Sequence, residues 1–122
     1  MAIVDATDCQ TMADVRAGVD AVDAELVTLM ARRFGYMTAA ARIKQDRAAV
    51  RDEARKAQVI ANVCSHASST MLPDGIAETL WDQLIEASIA YELEIFDARA
   101  TRSDGASDGT RTRDLRRDRP AL

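Results

Sequence analysis

Residues 8–44 read DCQTMADVRAGVDAVDAELVTLMARRFGYMTAAARIK, and the periodicity of this stretch decides the fold class. Thr11-Met12-Ala13-Asp14 has the form of a capping box with Asp in place of Glu, which marks a helix start. Beyond it, apolar residues fall at Val15, Val19, Val22, Leu26, Leu29, Tyr36, Met37, Ala40 and Ile43. Steps of three and four put such side chains on one helical face. No Pro interrupts the run, and its two glycines, Gly18 and Gly35, are of weak consequence. The spacing predicts one helix ending near Lys44, about 50 Å long at a rise of ~1.5 Å per residue. That exceeds the diameter of a domain this small.

The rest of the 122 residues agrees with a helical chain. Hydrophobic residues make up 48% and aromatic ones 4%, with five Gly and two Pro, which argues against an all-β sandwich or a loop-rich scaffold. The net charge of -4 excludes a nucleic-acid binder driven by phosphate neutralisation. No apolar run approaches the ~20 residues that span a bilayer. The N-terminus carries acids where a secretory signal carries bases. Cys9 and Cys64 match neither a metal-site nor a CxxC spacing, and two thiols alone point to a reducing cytoplasm.

Two shorter helices are expected after the first. Asp52 is placed to cap one that runs to about Ser68, with Val59, Ile60 and Val63 on its apolar face. The loop Ser68–Gly75 follows, with Asp74 as the expected cap of a third helix to about Ala98. Ile76, Leu80, Trp81, Leu84, Ile85, Ile89, Leu93, Ile95 and Phe96 line that helix. Residues 1–98 carry nine Lys and Arg against sixteen Asp and Glu, whereas residues 99–122 carry seven Arg against four Asp. The second stretch lacks an apolar period, so residues 99–122 are expected to form a disordered Arg-rich tail after a helical domain at 1–98. Its Arg cluster either touches an acidic partner or RNA or is simply solvated. One long helix overhanging two shorter ones makes a poor monomer, and dimerisation through the long helices resolves this. A bent monomeric three-helix bundle is the alternative.

Several charges sit on apolar stripes. Arg33 continues the seven-residue line of Val19 and Leu26. Lys44 lies eleven residues further on the same face, about 16 Å away along a helix. Together they could bracket one small anion, since buried cations require a negative partner; singly, each reads equally as a snorkelling surface cation. Arg16 lies seventeen residues before Arg33, about 25 Å along the helix. No arginine reaches that far, but an antiparallel second copy would place its Arg16 beside this Arg33. Ser88 and Glu92 are four apart on the third helix, where Glu92 could serve a site or merely pair with an arginine for structure. Arg51, Asp52 and Arg55 flank the start of the second helix, where backbone amides favour anions. His66, the one histidine, has no Asp or Cys nearby to form a dyad. HExxH, P-loop and GxGxxG patterns are missing. Cations and a carboxyl group without a nucleophile or a metal site suit a reaction driven by positioning and electrostatics.

These residues carry a resemblance. The pattern D-C-x-x-[LM]-x-D-[IV]-R-x-x-[IV]-D-x-[IV]-D, then R-R-x-x-Y-[VM] and A-x-R-[FI]-K, resembles the first helix of the AroQ-type chorismate mutases. It is particularly similar to the subgroup with the isochorismate-pyruvate lyases of salicylate synthesis. The likeness covers about residues 8–98, is strong in the first helix and thins through the second. It implies an all-α, three-helix, intertwined homodimer with no cofactor and no metal, acting on a small dianion in the cytoplasm. By resemblance, Arg33 and the second subunit's copy of Arg16 would clamp a carboxylate, and Lys44 would reach the ether oxygen. Asp52 matches a position that contacts the ring hydroxyl, and Arg51, Arg55 and Ser88 match positions around the carboxylates.

Two positions depart from the family pattern. Glu92 stands where many members carry Gln; a glutamine donates to the ether oxygen at any pH, a glutamate only when protonated. Lys56 stands where mutases often carry an acid. The activities implied are rearrangement of chorismate to prephenate, or release of pyruvate from isochorismate, or action on 4-amino-4-deoxychorismate. From another class, the chain could be a non-catalytic dimerisation or regulatory module. The set Arg16, Arg33, Lys44 and Glu92 separates these classes, because a scaffold has no need of ionisable groups at such spacings.

Overall fold

The computed structural model describes residues 3–104. They form three helices with no strand: α1 (Met12–Ile43), α2 (Glu53–Thr70) and α3 (Ile76–Asp104), with short 3-10 turns at Ala6–Asp8 and Arg47–Ala49. The chain divides after Gly35 into two compact units.

In the first unit, α1 starts where the capping box places it. The Asp14 amide donates to Thr11 Oγ1 at 3.1 Å, and the Asp14 carboxylate accepts from the amides of Gln10 and Thr11 at 3.1 and 3.3 Å. The Gln10 amide, helped by Thr11 and opposed by partial burial, holds the Asp14 carboxyl below its ordinary range. The apolar stripe of this part of α1 is not covered by the described residues: Val19, Val22, Leu26 and Leu29 remain 47–53% exposed. Val15, Val19 and Val22 line an open, mostly apolar cavity of about 430 Å³ with Ile3, Val4 and Cys9 of the preceding segment.

The second unit holds the end of α1 and the α2–α3 hairpin. Val50, Ile85 and Ile89 are buried at its centre, with Val59, Ile60, Trp81 and Leu93 packed around them. Full burial of one such side chain is worth about 1.5–3 kcal/mol. Leu80 and Ile76, expected on the apolar face of α3, are exposed instead. Asp52 caps α2 by accepting from the Arg55 amide at 3.0 Å, as expected from sequence. The helix ends on Met71, a non-glycine residue in the left-handed region at φ 67 with its side chain in solvent. Helix α3 starts at Ile76 and the Thr79 amide bonds to the Gly75 carbonyl. Gly75, at φ 84, therefore takes the capping position expected of Asp74.

Helix α3 is 29 residues long against 32 for α1, so only α2 is short. The boundary expected after residue 98 falls inside α3, which continues to Asp104; residues 105–122 lie outside the described residues. What the apolar pattern does not register is Arg99. Its Nη1 donates to the carbonyls of Ala41 and Arg42 at 2.7 and 2.8 Å, and its guanidinium lies 4.4 Å from the centre of the Phe96 ring. Further polar contacts join the end of α1 and its following turn to α3. Thr38 Oγ1 and Tyr91 Oη are 2.9 Å apart, and Arg47 makes a two-point pair with Asp97 at 2.9 and 3.3 Å.

Candidate active site

The helical pattern of α1 persists one residue beyond its last turn, because the Lys44 amide still bonds to the Ala40 carbonyl at 2.9 Å. The Lys44 side chain meets α3 at Glu92. Glu92 follows Ile85 by seven residues and Ile89 by three, so the pattern that makes a core face puts a carboxylate on it. Glu92 is 4% exposed, and its Oε2 lies 2.7 Å from Lys44 Nζ. Among the described residues this ion pair is the one contact recorded for Oε2, and a buried carboxylate oxygen has room for a further donor. One turn earlier, Ser88 is equally buried and donates to its own helix at the Leu84 carbonyl, at 2.7 Å.

The start of α2 carries a second cluster of charge. Arg51 binds Glu86 through both terminal nitrogens, at 3.2 and 2.5 Å, and also Glu53 at 2.9 Å. Lys56 bridges Glu86 at 2.8 Å and Asp82 at 2.9 Å. The hydrogen bonds from Arg51, then Lys56, hold the Glu86 carboxyl down at about 2. Glu86 in turn raises both cations above their ordinary values, with Glu53 adding to the effect on Arg51 and Asp82 to that on Lys56. Arg55 donates to Gln58 Oε1 at 2.7 Å, and the Asp52 carboxylate is committed to the α2 cap.

The structure thus joins Lys44 to Glu92 and sets Ser88 beside them on α3. Arg51, Asp52 and Arg55 lie together at the α2 start, with Arg51 already held by carboxylates of the protein. Arg16, exposed, and Arg33, half-buried, belong to the first unit. Sequence reasoning missed Glu86 and Asp82; two acids four residues apart on a helix read as a solvated face, and only the cations at 51 and 56 signal a partner. Among the described residues no helix is long and apolar enough to cross a membrane.

Residues 15–93 match the family described as chorismate mutase type II. The chain belongs to that family. The matched stretch of this chorismate mutase family member contains all eight residues singled out above, from Arg16 to Glu92. An isochorismate pyruvate lyase of Pseudomonas aeruginosa is 32% identical over 87 residues, which cover 71% of this chain and 86% of that protein.

Proposed function

We propose that this family member is a chorismate mutase. The observation that carries this reading is the Lys44–Glu92 pair, a half-buried ammonium group on a buried carboxyl group, which offers a cation and a protonatable oxygen within one contact distance. In the rearrangement the ether C–O bond breaks as a C–C bond forms, with no net proton transfer and negative charge building on the ether oxygen. Lys44, and Glu92 in its protonated form, would donate to that oxygen; preorganised donors at developing charge are the main source of such acceleration. Arg33 and Arg16 of a second copy would grip the carboxylates bidentately and hold the substrate in its compact reactive shape, with Arg51, Asp52, Arg55 and Ser88 completing the surround.

The uncovered apolar stripe of α1 supports a homodimer, and so does the span of about 25 Å between Arg16 and Arg33 along one helix. A second reading is favoured by the Pseudomonas relative, whose name is isochorismate pyruvate lyase. There the same groups would assist cleavage of the ether bond of isochorismate, with a ring hydrogen passing to the enolpyruvyl methylene. Purified protein incubated separately with chorismate and isochorismate decides between them. Prephenate from the first supports the mutase, and salicylate with pyruvate from the second supports the lyase. Failure to consume either one above the uncatalysed rate would sink both.

A further inference from the structure

Arg99 lies outside the stretch matched to the family, yet it is tied to the residues that position Lys44. The last carbonyls of a helix have no partner within it. Ala40 still receives the Lys44 amide, but the carbonyls of Ala41 and Arg42 would be orphans, and Ala41 is fully buried. Arg99 Nη1 satisfies both, at 2.7 and 2.8 Å. Its guanidinium is steadied over Phe96, itself buried, at 4.4 Å. Arg99 and Glu92 are seven residues apart, two turns along the same face of α3. One helix therefore holds the end of α1 twice: by its backbone through Arg99, and two residues later by its ammonium group through Glu92.

We infer that Arg99 is a positioning residue for Lys44, fixing the last turn of α1 so that the ammonium group meets Glu92. Only the kinetic consequence of this inference rests on the mutase reading. With a hydrogen-bonded backbone, the Lys44 stem leaves α1 from a defined point; without it, the terminal turn frays and the ammonium samples a wider volume. A misplacement of about 1 Å can cost about a hundredfold in rate.

The test is an NMR comparison on the full 15N-labelled chain, with the Lys44 ammonium signal assigned by its loss in Lys44→Met. Arg99→Met keeps an apolar stem over Phe96 and removes every donor. The expected result is a Lys44 signal that shifts and broadens toward its position in Glu92→Gln, with helical circular dichroism unchanged. Arg99→Lys keeps the charge and should give an intermediate shift. In turnover, Arg99→Met should lose about tenfold in kcat with KM changed less than about threefold, as misplacement of a transition-state donor requires. A purely architectural Arg99 would lower the melting temperature but leave the Lys44 signal in place. An unmoved signal in folded Arg99→Met, or in Arg99→Lys if the Met variant unfolds, overturns the inference. The NMR arm decides even if neither substrate is turned over, so its failure is distinguishable from failure of the mutase reading.

Discussion

Glu92 combines burial with a cationic neighbour at 2.7 Å, at a position where the family resemblance implies Gln in many members. Gln donates to an ether oxygen without carrying charge, whereas an ionised Glu opposes the charge developing there. Glu92→Gln should therefore keep or raise turnover, and Glu92→Ala, which has no donor, should lose about a hundredfold. Steady-state rates of the three proteins check this, and equal rates in the Gln and Ala variants would count against it. The pair itself was legible in part, since Lys44 and Glu92 each stood on an apolar stripe; that they meet each other was not, because the 47 residues between them set the distance.

Among the elements, α2 is held by polar devices at its first turn. Asp52 is both its cap and a candidate contact for a ring hydroxyl, and substitution separates the two roles. Asn caps as well as Asp does, so Asp52→Asn should keep the melting temperature, whereas Asp52→Ala should lose about 1 kcal/mol. Activity lost in both variants, with stability lost in only one, would assign the carboxylate to the site. The Glu86 cluster ties α2 to α3 and is sensitive to acid. Its carboxyl lies at about 2 against an ordinary 4.5. The stabilisation it provides is thus fully present above about 4.5 and disappears as pH falls through about 2. Glu86→Gln should show a smaller drop in melting temperature across that interval than the unaltered chain. Local signals such as the Thr11–Asp14 box and the Asp52 cap were readable because the partner lies within three residues. The Gly75 start of α3 was not, because a left-handed backbone decides it rather than a side-chain cap. The extension of α3 past residue 98 was not either, because Arg99 is held by carbonyls 57 and 58 positions earlier.

For the whole molecule, the exposed face of α1 and the placement of Arg16 lead to one composite prediction. Arg16→Ala and Arg33→Ala chains, each inactive alone, should recover about a quarter of normal activity after mixing and statistical exchange, because a hybrid pair restores one site of its two. Activity assays alongside analytical ultracentrifugation check it; recovery without exchange, or exchange without recovery, would exclude a shared site. The three-helix architecture was legible from apolar period alone. The division of the chain after Gly35 was not, since the pattern of α1 is unbroken across it. Global stability also has a reserve in the turn after α2. Met71 occupies a backbone region that costs an ordinary L-residue about 1–2 kcal/mol, and 86% of its surface faces water. Glycine would adopt the same bend without that penalty and would sacrifice almost no packing, so Met71→Gly should raise the melting temperature. The hairpin thus retains a strained hinge that a single trimmed side chain can relax.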